Sequence, residues 1–139
     1  MINKIVDGIS KALNQEFGDE YEIYQNNVLQ GLDEPCFFIA VLEPSKDQLL
    51  QNRFLQRNPF DVHYFPVDPD DNRDMQGTAE RMLDCLEWII LEEPIRGTEI
   101  RWQIEDGVLH FFVSYNVVRN RMIQKDLMQE ITQNITTEG

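Results

Sequence analysis

The sequence predicts an α+β fold in which a mostly antiparallel sheet carries two helices packed on one face. Two segments place apolar residues at the i, i+3, i+4, i+7 spacing of amphipathic helices. Short apolar or alternating runs have the length of strands. An Asp-Gly pair between two alternating runs is typical of an antiparallel hairpin. The predicted order is α-β-β-β-α-β-β plus a C-terminal tail.

The first half of the chain predicts one helix and three strands. Residues 2–17 carry the apolar stripe of the helix, and Gly18 supplies its end. Gly8 lies inside the helix at a cost of about 1 kcal/mol relative to Ala, which tight packing would explain. Residues 45–52 are interpreted as a loop. We expect strands at Tyr21 to Gln25, Cys36 to Leu42, and Arg53 to Phe65 with an interruption at Asn58-Pro59.

The second helix is predicted downstream of a proline-rich crossing segment. Asp71 to Asp74 opens it with acids at its positive end, and Pro94 ends it at Glu93. Its apolar stripe comprises Met75, Ala79, Met82, Leu83, Leu86 and Ile89 or Ile90.

A hairpin completes the predicted sheet. Its strands run from Ile100 to Ile104 and from Val108 to Val118, around a type I′ turn at Asp106-Gly107. The tail from Asn120 onward is compatible with helix or strand. Because the strand from Cys36 to Leu42 is apolar on both faces, two helices on one side cannot cover it. We expect the tail or a partner subunit to cover the second face.

The acidic balance excludes several classes of function. Twenty-five acids stand against twelve bases, a formal charge of −13, and residues 66–93 alone carry nine acids and two bases. Such a balance argues against recognition of nucleic acid or of an anionic membrane, because both require a basic face. We expect a single domain over residues 1–139, made in the cytosol, with no signal peptide and no membrane span.

Candidate catalytic and metal-binding residues are few. His63 lies two residues from Asp61 on one strand face, where an Asp–His pair would orient a general base, but no nucleophile lies nearby. His110 and the cysteines lack the spacing of zinc ligands, and we interpret Cys36 and Cys85 as buried apolar thiols. No glycine-rich phosphate motif is present. We therefore expect no catalytic, cofactor or metal site.

Arginines beside apolar residues are the remaining candidates. Arg53 and Arg57 flank Phe54-Leu55, and Arg119 and Arg121 follow the last strand. Arginine next to exposed apolar side chains is enriched at protein interfaces. Isolated surface salt bridges to the many acids are the alternative.

Four strand segments carry a resemblance to a known family. They are Glu34-Pro35-Cys36-Phe37-Phe38-Ile39, Asn52-Arg53-Phe54, Phe60-Asp61-Val62-His63-Tyr64-Phe65-Pro66 and Leu109-His110-Phe111-Phe112-Val113-Ser114-Tyr115-Asn116. In this order, and over almost the whole chain, they resemble phage tail terminator-like proteins. That family occurs in phages, prophages and phage-derived contractile particles of Gram-positive bacteria. The motifs are structural strands and carry no catalytic signature.

The resemblance implies a non-enzymatic part of a virion or phage-like particle tail, assembled in the cytoplasm of the bacterial host. Tail terminators form a ring, commonly a hexamer, that caps the tail tube, stops its polymerisation and joins the tail to neck or collar proteins. In contractile particles they also engage the sheath. We hypothesise that Arg53, Arg57, Arg119 and Arg121 meet acids of a neighbouring subunit or of the tube protein. Acids of residues 66–93 would then line a channel through which DNA passes.

Two other classes of function stay open. The order of elements also resembles that of small acidic dimeric chaperones, which hold secretion effectors by binding an extended polypeptide along apolar patches. A stable dimer would indicate the chaperone, whereas a ring, or a monomer until the tube is present, would indicate the terminator. An enzyme built on Asp61 and His63 is the third alternative, for which no pocket chemistry can be named.

Overall fold

The structure, a computed structural model, describes residues 1–25 and 31–120. These residues form two helices and ten strands and divide into two compact units. The described residues of the larger unit are 1–25, 31–44 and 58–116, and those of the smaller unit are 45–57 and 117–120. The elements are α1 (Ile2–Phe17), β1 (Glu22–Tyr24), β2 (Cys36–Val41), β3 (Ser45–Gln48), β4 (Arg53–Arg57), β5 (Pro59–Phe65), α2 (Asn72–Leu86), β6 (Trp88–Ile90), β7 (Pro94–Arg96), β8 (Thr98–Glu105), β9 (Val108–Ser114) and β10 (Val117–Asn120).

The larger unit is built on a five-stranded sheet with the order β1-β2-β5-β9-β8. Every neighbouring pair is antiparallel except β1 and β2. Alternate residues of these strands join the apolar stripes of both helices in one core, so both helices lie on the same face of the sheet. This arrangement confirms the predicted α+β fold. The core side chains contributed by the three central strands are Phe37, Ile39, Phe60, Val62, Tyr64, Leu109, Phe111 and Val113.

The C-terminal end of α1 and the N-terminal start of α2 lie at the residues predicted from the sequence. Gly18 ends α1 with φ +91°, a value that side chains other than glycine rarely adopt. Gly8 has the packing reason anticipated above, because a Cβ there would lie 2.8 Å from Leu91 Cδ2. Asp71 caps α2 by accepting a hydrogen bond from the Asp74 backbone N–H at 3.0 Å.

The prediction that α2 extends to Glu93 is wrong. The helix ends at Leu86, and Trp88–Ile90 instead forms β6, which pairs with β7. The sequence pattern did not indicate this change, because Ile89 and Ile90 continue the apolar spacing of the helix. In the strand, Trp88 and Ile90 point outward and are 56% and 61% exposed.

The interpretation of residues 45–52 as a loop is also corrected, since Ser45–Gln48 forms strand β3 against β4. All four residues are exposed, so no hydrophobic alternation marks the strand. The long strands predicted at 53–65 and 108–118 each divide in two. The first divides at the predicted interruption, and β4 and β5 belong to different sheets. The second divides at residues 115 and 116, which separate β9 from β10.

The hairpin between β8 and β9 has the predicted turn. Asp106 and Gly107 have φ values of +53° and +75°, and a type I′ turn requires positive φ at both positions. The turn also packs closely, because a Cβ on Gly107 would lie 2.7 Å from Pro69 Cβ. The aspartate-glycine pair therefore fixes the register of the two strands.

Alanine substitutions at two glycines are expected to have opposite effects on stability. A Cβ at Gly97 would lie 2.6 Å from Val113 Cγ2 and 3.0 Å from the Leu86 carbonyl oxygen, and such overpacking costs about 1–3 kcal/mol. Gly77 lies within α2 with open space around the added Cβ, where alanine contributes about 0.5–1 kcal/mol of stability. Urea unfolding measures both effects. A Gly97→Ala variant as stable as Gly77→Ala would contradict the packing argument.

Candidate functional site

The second face of the five-stranded sheet, which points away from the helices, carries an unusual set of side chains. Among residues 1–25 and 31–120, no helix packs on this face. Phe38, Phe65 and Phe112 are half-buried on it. The prediction that the tail or a partner subunit covers this face stays a prediction, because residues 121–139 lie outside the described residues. The central strands contribute Cys36, Phe38, Ala40, Asp61, His63, Phe65, His110 and Phe112 to this face.

Asp61, His63 and His110 form a cluster at the centre of the second face. The register of β5 and β9 places His63 directly opposite His110, and their ring centroids lie 4.6 Å apart. Asp61 Oδ2 lies 2.8 Å from His63 Nε2 and 2.9 Å from His110 Nδ1. One carboxylate oxygen is therefore shared by two imidazoles.

The carboxylate is more enclosed than the two histidines. The side chain of Asp61 is 10% exposed, whereas those of His63 and His110 are 18% and 24% exposed. Its second oxygen, Oδ1, is buried and has no hydrogen-bond partner among the described residues. On the neighbouring strand β2, the register partner of Asp61 is Ala40.

Aromatic rings surround the cluster. The His63 ring lies 5.4 Å from that of Phe38 and 6.0 Å from that of Phe65, and the His110 ring lies 6.3 Å from that of Phe112. The Arg101 guanidinium lies over the Phe112 ring at 4.0 Å. These apolar neighbours reduce the access of water to the two histidines.

The sequence placed Asp61 and His63 on one strand face, and their contact at 2.8 Å agrees with that placement. It missed His110 as a member of the same cluster. The signal that was available is alternation, since Leu109 and Phe111 point to the core and His110 must therefore point to the second face. Alternation within one strand does not predict that β9 pairs with β5 in the sheet.

The predicted arginines lie in the smaller unit, a three-stranded antiparallel sheet with the order β10-β4-β3. Arg53 and Arg57 share one face of β4 by alternation. Arg119 on β10 is the register partner of Phe54 and therefore lies on the opposite face. The structure thus brings three of the four arginines into one sheet but divides them between its faces. Arg121 lies outside the described residues.

Two of these arginines have partners inside the smaller unit. Arg57 Nε lies 2.8 Å from Asp47 Oδ2, and both side chains are partly exposed. Arg119 Nη1 donates to Gln56 Oε1 at 3.1 Å. Exposed pairs of this kind contribute about 0–1 kcal/mol, so these contacts orient the guanidinium groups more than they stabilise the sheet.

Charge is distributed unequally between the two units. The described part of the smaller unit, residues 45–57 and 117–120, contains Lys46 and three arginines against the single acid Asp47, a formal charge of +3. The larger unit contains twenty-one acids and six bases, a formal charge of −15. A basic sheet therefore belongs to an otherwise strongly acidic chain.

Burial shifts the titration of several groups outside the cluster. Burial, with nearby carboxylates, raises the pKa of the Cys36 thiol to about 11 and that of the Cys85 thiol to about 12. Both cysteines are free and stay protonated near neutral pH; Cys36 is buried as predicted, whereas Cys85 is only half-buried. Burial and the hydrogen bond that Tyr64 Oη donates to Asp74 Oδ2 at 2.7 Å raise the pKa of Tyr64.

Comparison with known proteins identifies the family. In residues 1–25 and 31–120 neither helix is both long and apolar enough to cross a bilayer. None of the curated proteins compared with the chain matches it. The family model described as phage tail terminator protein matches residues 4–137, nearly the entire sequence. This family has a structural role in the virion tail, where its members contact other tail proteins, and the chain belongs to the phage tail terminator family.

Proposed function

We propose that the protein is a structural tail terminator whose subunits close into a ring, a hexamer, on the end of the tail tube. The observation that carries the proposal is the family match over residues 4–137. In this role the ring stops polymerisation of the tube protein, and of the sheath in a contractile tail, and presents a surface to neck or collar proteins. Assembly takes place in the cytoplasm of the bacterial host.

The separation of charge between the two units supports ring closure. A ring of identical subunits needs a heterologous contact, in which one patch of a subunit meets a different patch of its neighbour. The opposite net charges of the basic sheet, +3, and of the acidic unit, −15, support a contact in which these two parts of the chain supply the two patches. Opposite charges favour their pairing between subunits, whereas like patches repel one another. In the proposed ring, the basic sheet of each subunit contacts the acidic unit of the next.

Arginines lie on both faces of the smaller sheet, and this distribution supports a position of the sheet between two acidic surfaces. Arg53 and Arg57 project from one face, and Arg119 projects from the other beside Lys46, whose Nζ lies 4.5 Å from the centre of the Phe54 ring. A sheet with cations on both faces suits a place between two acidic surfaces. Arg121, which follows β10 in the sequence, is proposed to act with them.

Acids at the start of α2 are proposed to line the channel of the ring. Asp68, Asp70, Asp71 and Asp74 are exposed and lie within seven residues. An acidic wall repels the DNA duplex and keeps it from adhering during its passage. A density map of rings on assembled tails checks this assignment, and a neutral or basic channel would contradict it.

Electron microscopy of particles made with and without the protein tests the proposed function. We expect tails of uncontrolled length in its absence, because tube growth then lacks its stop, and uniform tails when the protein is restored. Uniform tails in its absence would overturn the proposal. Sedimentation of the purified protein separates the alternatives, since a stable dimer would instead indicate a chaperone.

A further inference from the structure

We infer that Asp61, His63 and His110 form a binding site for a divalent transition metal ion, Zn²⁺, on the second face of the five-stranded sheet. Each residue offers one ligand atom, and the three atoms lie within 4.8 Å of one another. Two imidazole nitrogens and one carboxylate oxygen are a ligand set that Zn²⁺ favours, with a fourth position left for water or another ligand.

The observed distances fit such a site after a small adjustment. Zn²⁺ bonds of about 2.0–2.2 Å to nitrogen and oxygen place tetrahedral ligand atoms about 3.3 Å apart. Asp61 Oδ2 lies 2.8 Å and 2.9 Å from the two imidazole nitrogens. Metal binding would open each of these two contacts by roughly half an ångström. The backbone positions are already set by paired strands, because β5 and β9 are hydrogen-bonded neighbours.

The unpartnered oxygen of Asp61 is an independent observation in favour of a ligand. Native structures leave few buried polar atoms without a partner, and such an atom calls for an explanation. Asp61 is only 7% exposed, and its Oδ1 has no partner among the described residues. A cation at the cluster would compensate the negative charge of this enclosed carboxylate.

The position of the site indicates a structural role for the ion. The ligands come from β5 and β9, two central strands of the sheet, on the face that no described helix covers. A metal ion there would join these strands directly, as packed side chains do on the core face. Phe38, Phe65 and Phe112 border the site and limit its access to water.

Titration of the purified protein with Zn²⁺ and with Co²⁺ tests the inference. We expect one equivalent of either ion to bind and to raise the unfolding temperature by several degrees, since an ion that binds only the folded state stabilises it. His63→Ala and His110→Ala should each weaken binding by more than about 100-fold, because loss of an outer-sphere partner alone costs about 10–100-fold. The matched control is Cys36→Ala, which alters the same face and should bind normally.

A second measurement uses the unaltered protein and does not depend on the folding of any variant. The Co²⁺-loaded protein should show visible d–d bands without a thiolate charge-transfer band, and X-ray absorption of the Zn²⁺ form should show two imidazoles and no sulfur. Sulfur in the coordination sphere would overturn the inference. So would the absence of stoichiometric Zn²⁺ binding, or binding that survives both histidine substitutions.

Discussion

Rings and correctly terminated tails are expected to be lost when Arg53 and Arg119 are both changed to Glu. Both side chains are exposed and lie on opposite faces of the basic sheet, so the changes spare the hydrophobic core. Close charge pairs at interfaces contribute about 1.5–7 kcal/mol, and in the proposed ring the two changes replace attraction by repulsion at each contact between subunits. Assembly should fall by more than about 100-fold, and tails should grow as they do without the protein.

The control for this experiment is the pair Lys11→Glu and Arg73→Glu, which reverses two exposed cations of the acidic unit. Both double variants change the formal charge from −13 to −17, so only the location of the reversed charges differs. We expect the control to form normal rings. Size-exclusion chromatography and tail-length distributions measure the outcome. Normal assembly of the Arg53 and Arg119 variant, or equal loss in both, would remove the basic sheet from the interface.

The limits of prediction from the sequence are clearest in the smaller unit. The residues of β3 are all polar or charged and exposed, so no burial pattern distinguishes them from a loop. They form a strand because β4 offers them an unpaired edge, which is a tertiary cause. The opposite faces of Arg53 and Arg119 likewise depend on the register of β10 against β4, a property of two segments distant in sequence.

The end of α2 shows how tertiary contacts override a local pattern. Ile89 and Ile90 follow Leu86 at helical spacing, and the pattern alone favours continuation. In the folded chain, the carbonyl groups at the helix end instead accept hydrogen bonds from residues outside the helix. Tyr115 Oη donates to the Leu86 carbonyl, and the Gly97 backbone N–H donates to the Glu87 carbonyl at 2.6 Å. These partners come from distant residues that a local window does not include.

The histidine cluster was predictable only in part from the sequence. Alternation within β5 places Asp61 beside His63, and this contact was predictable from six residues. His110 joins the cluster only because β9 pairs with β5, and the two histidines are 47 residues apart in the sequence. Zinc-ligand spacings describe ligands on one loop or helix, so they do not recognise ligands assembled across strands. The expectation of no metal site depended on those spacings alone.

Replacing Tyr115 with Ala is expected to lower the free energy of unfolding by about 3–5 kcal/mol. Tyr115 is fully buried, its ring centroid lies 6.1 Å from that of Phe60, and its backbone N–H donates to the Asn58 carbonyl at 2.9 Å. Through its hydroxyl it also binds the Leu86 carbonyl at the end of α2. Tyr115→Phe keeps the ring but leaves that carbonyl without this donor, at a cost of about 1–3 kcal/mol. Urea unfolding near pH 7 measures both variants.

The pH dependence of stability, compared between wild type and Tyr115→Phe, separates the contribution of the hydroxyl from that of the ring. Burial raises the pKa of Tyr115 above its ordinary value of about 10, so the folded state retains the proton after the unfolded state has released it. The hydroxyl's stabilising contribution is therefore complete below about pH 10 and is lost as the pH rises toward the raised pKa. The stability difference between wild type and Tyr115→Phe should shrink above about pH 10. A difference that stays constant through that range would show that the hydroxyl is not enclosed as the structure describes.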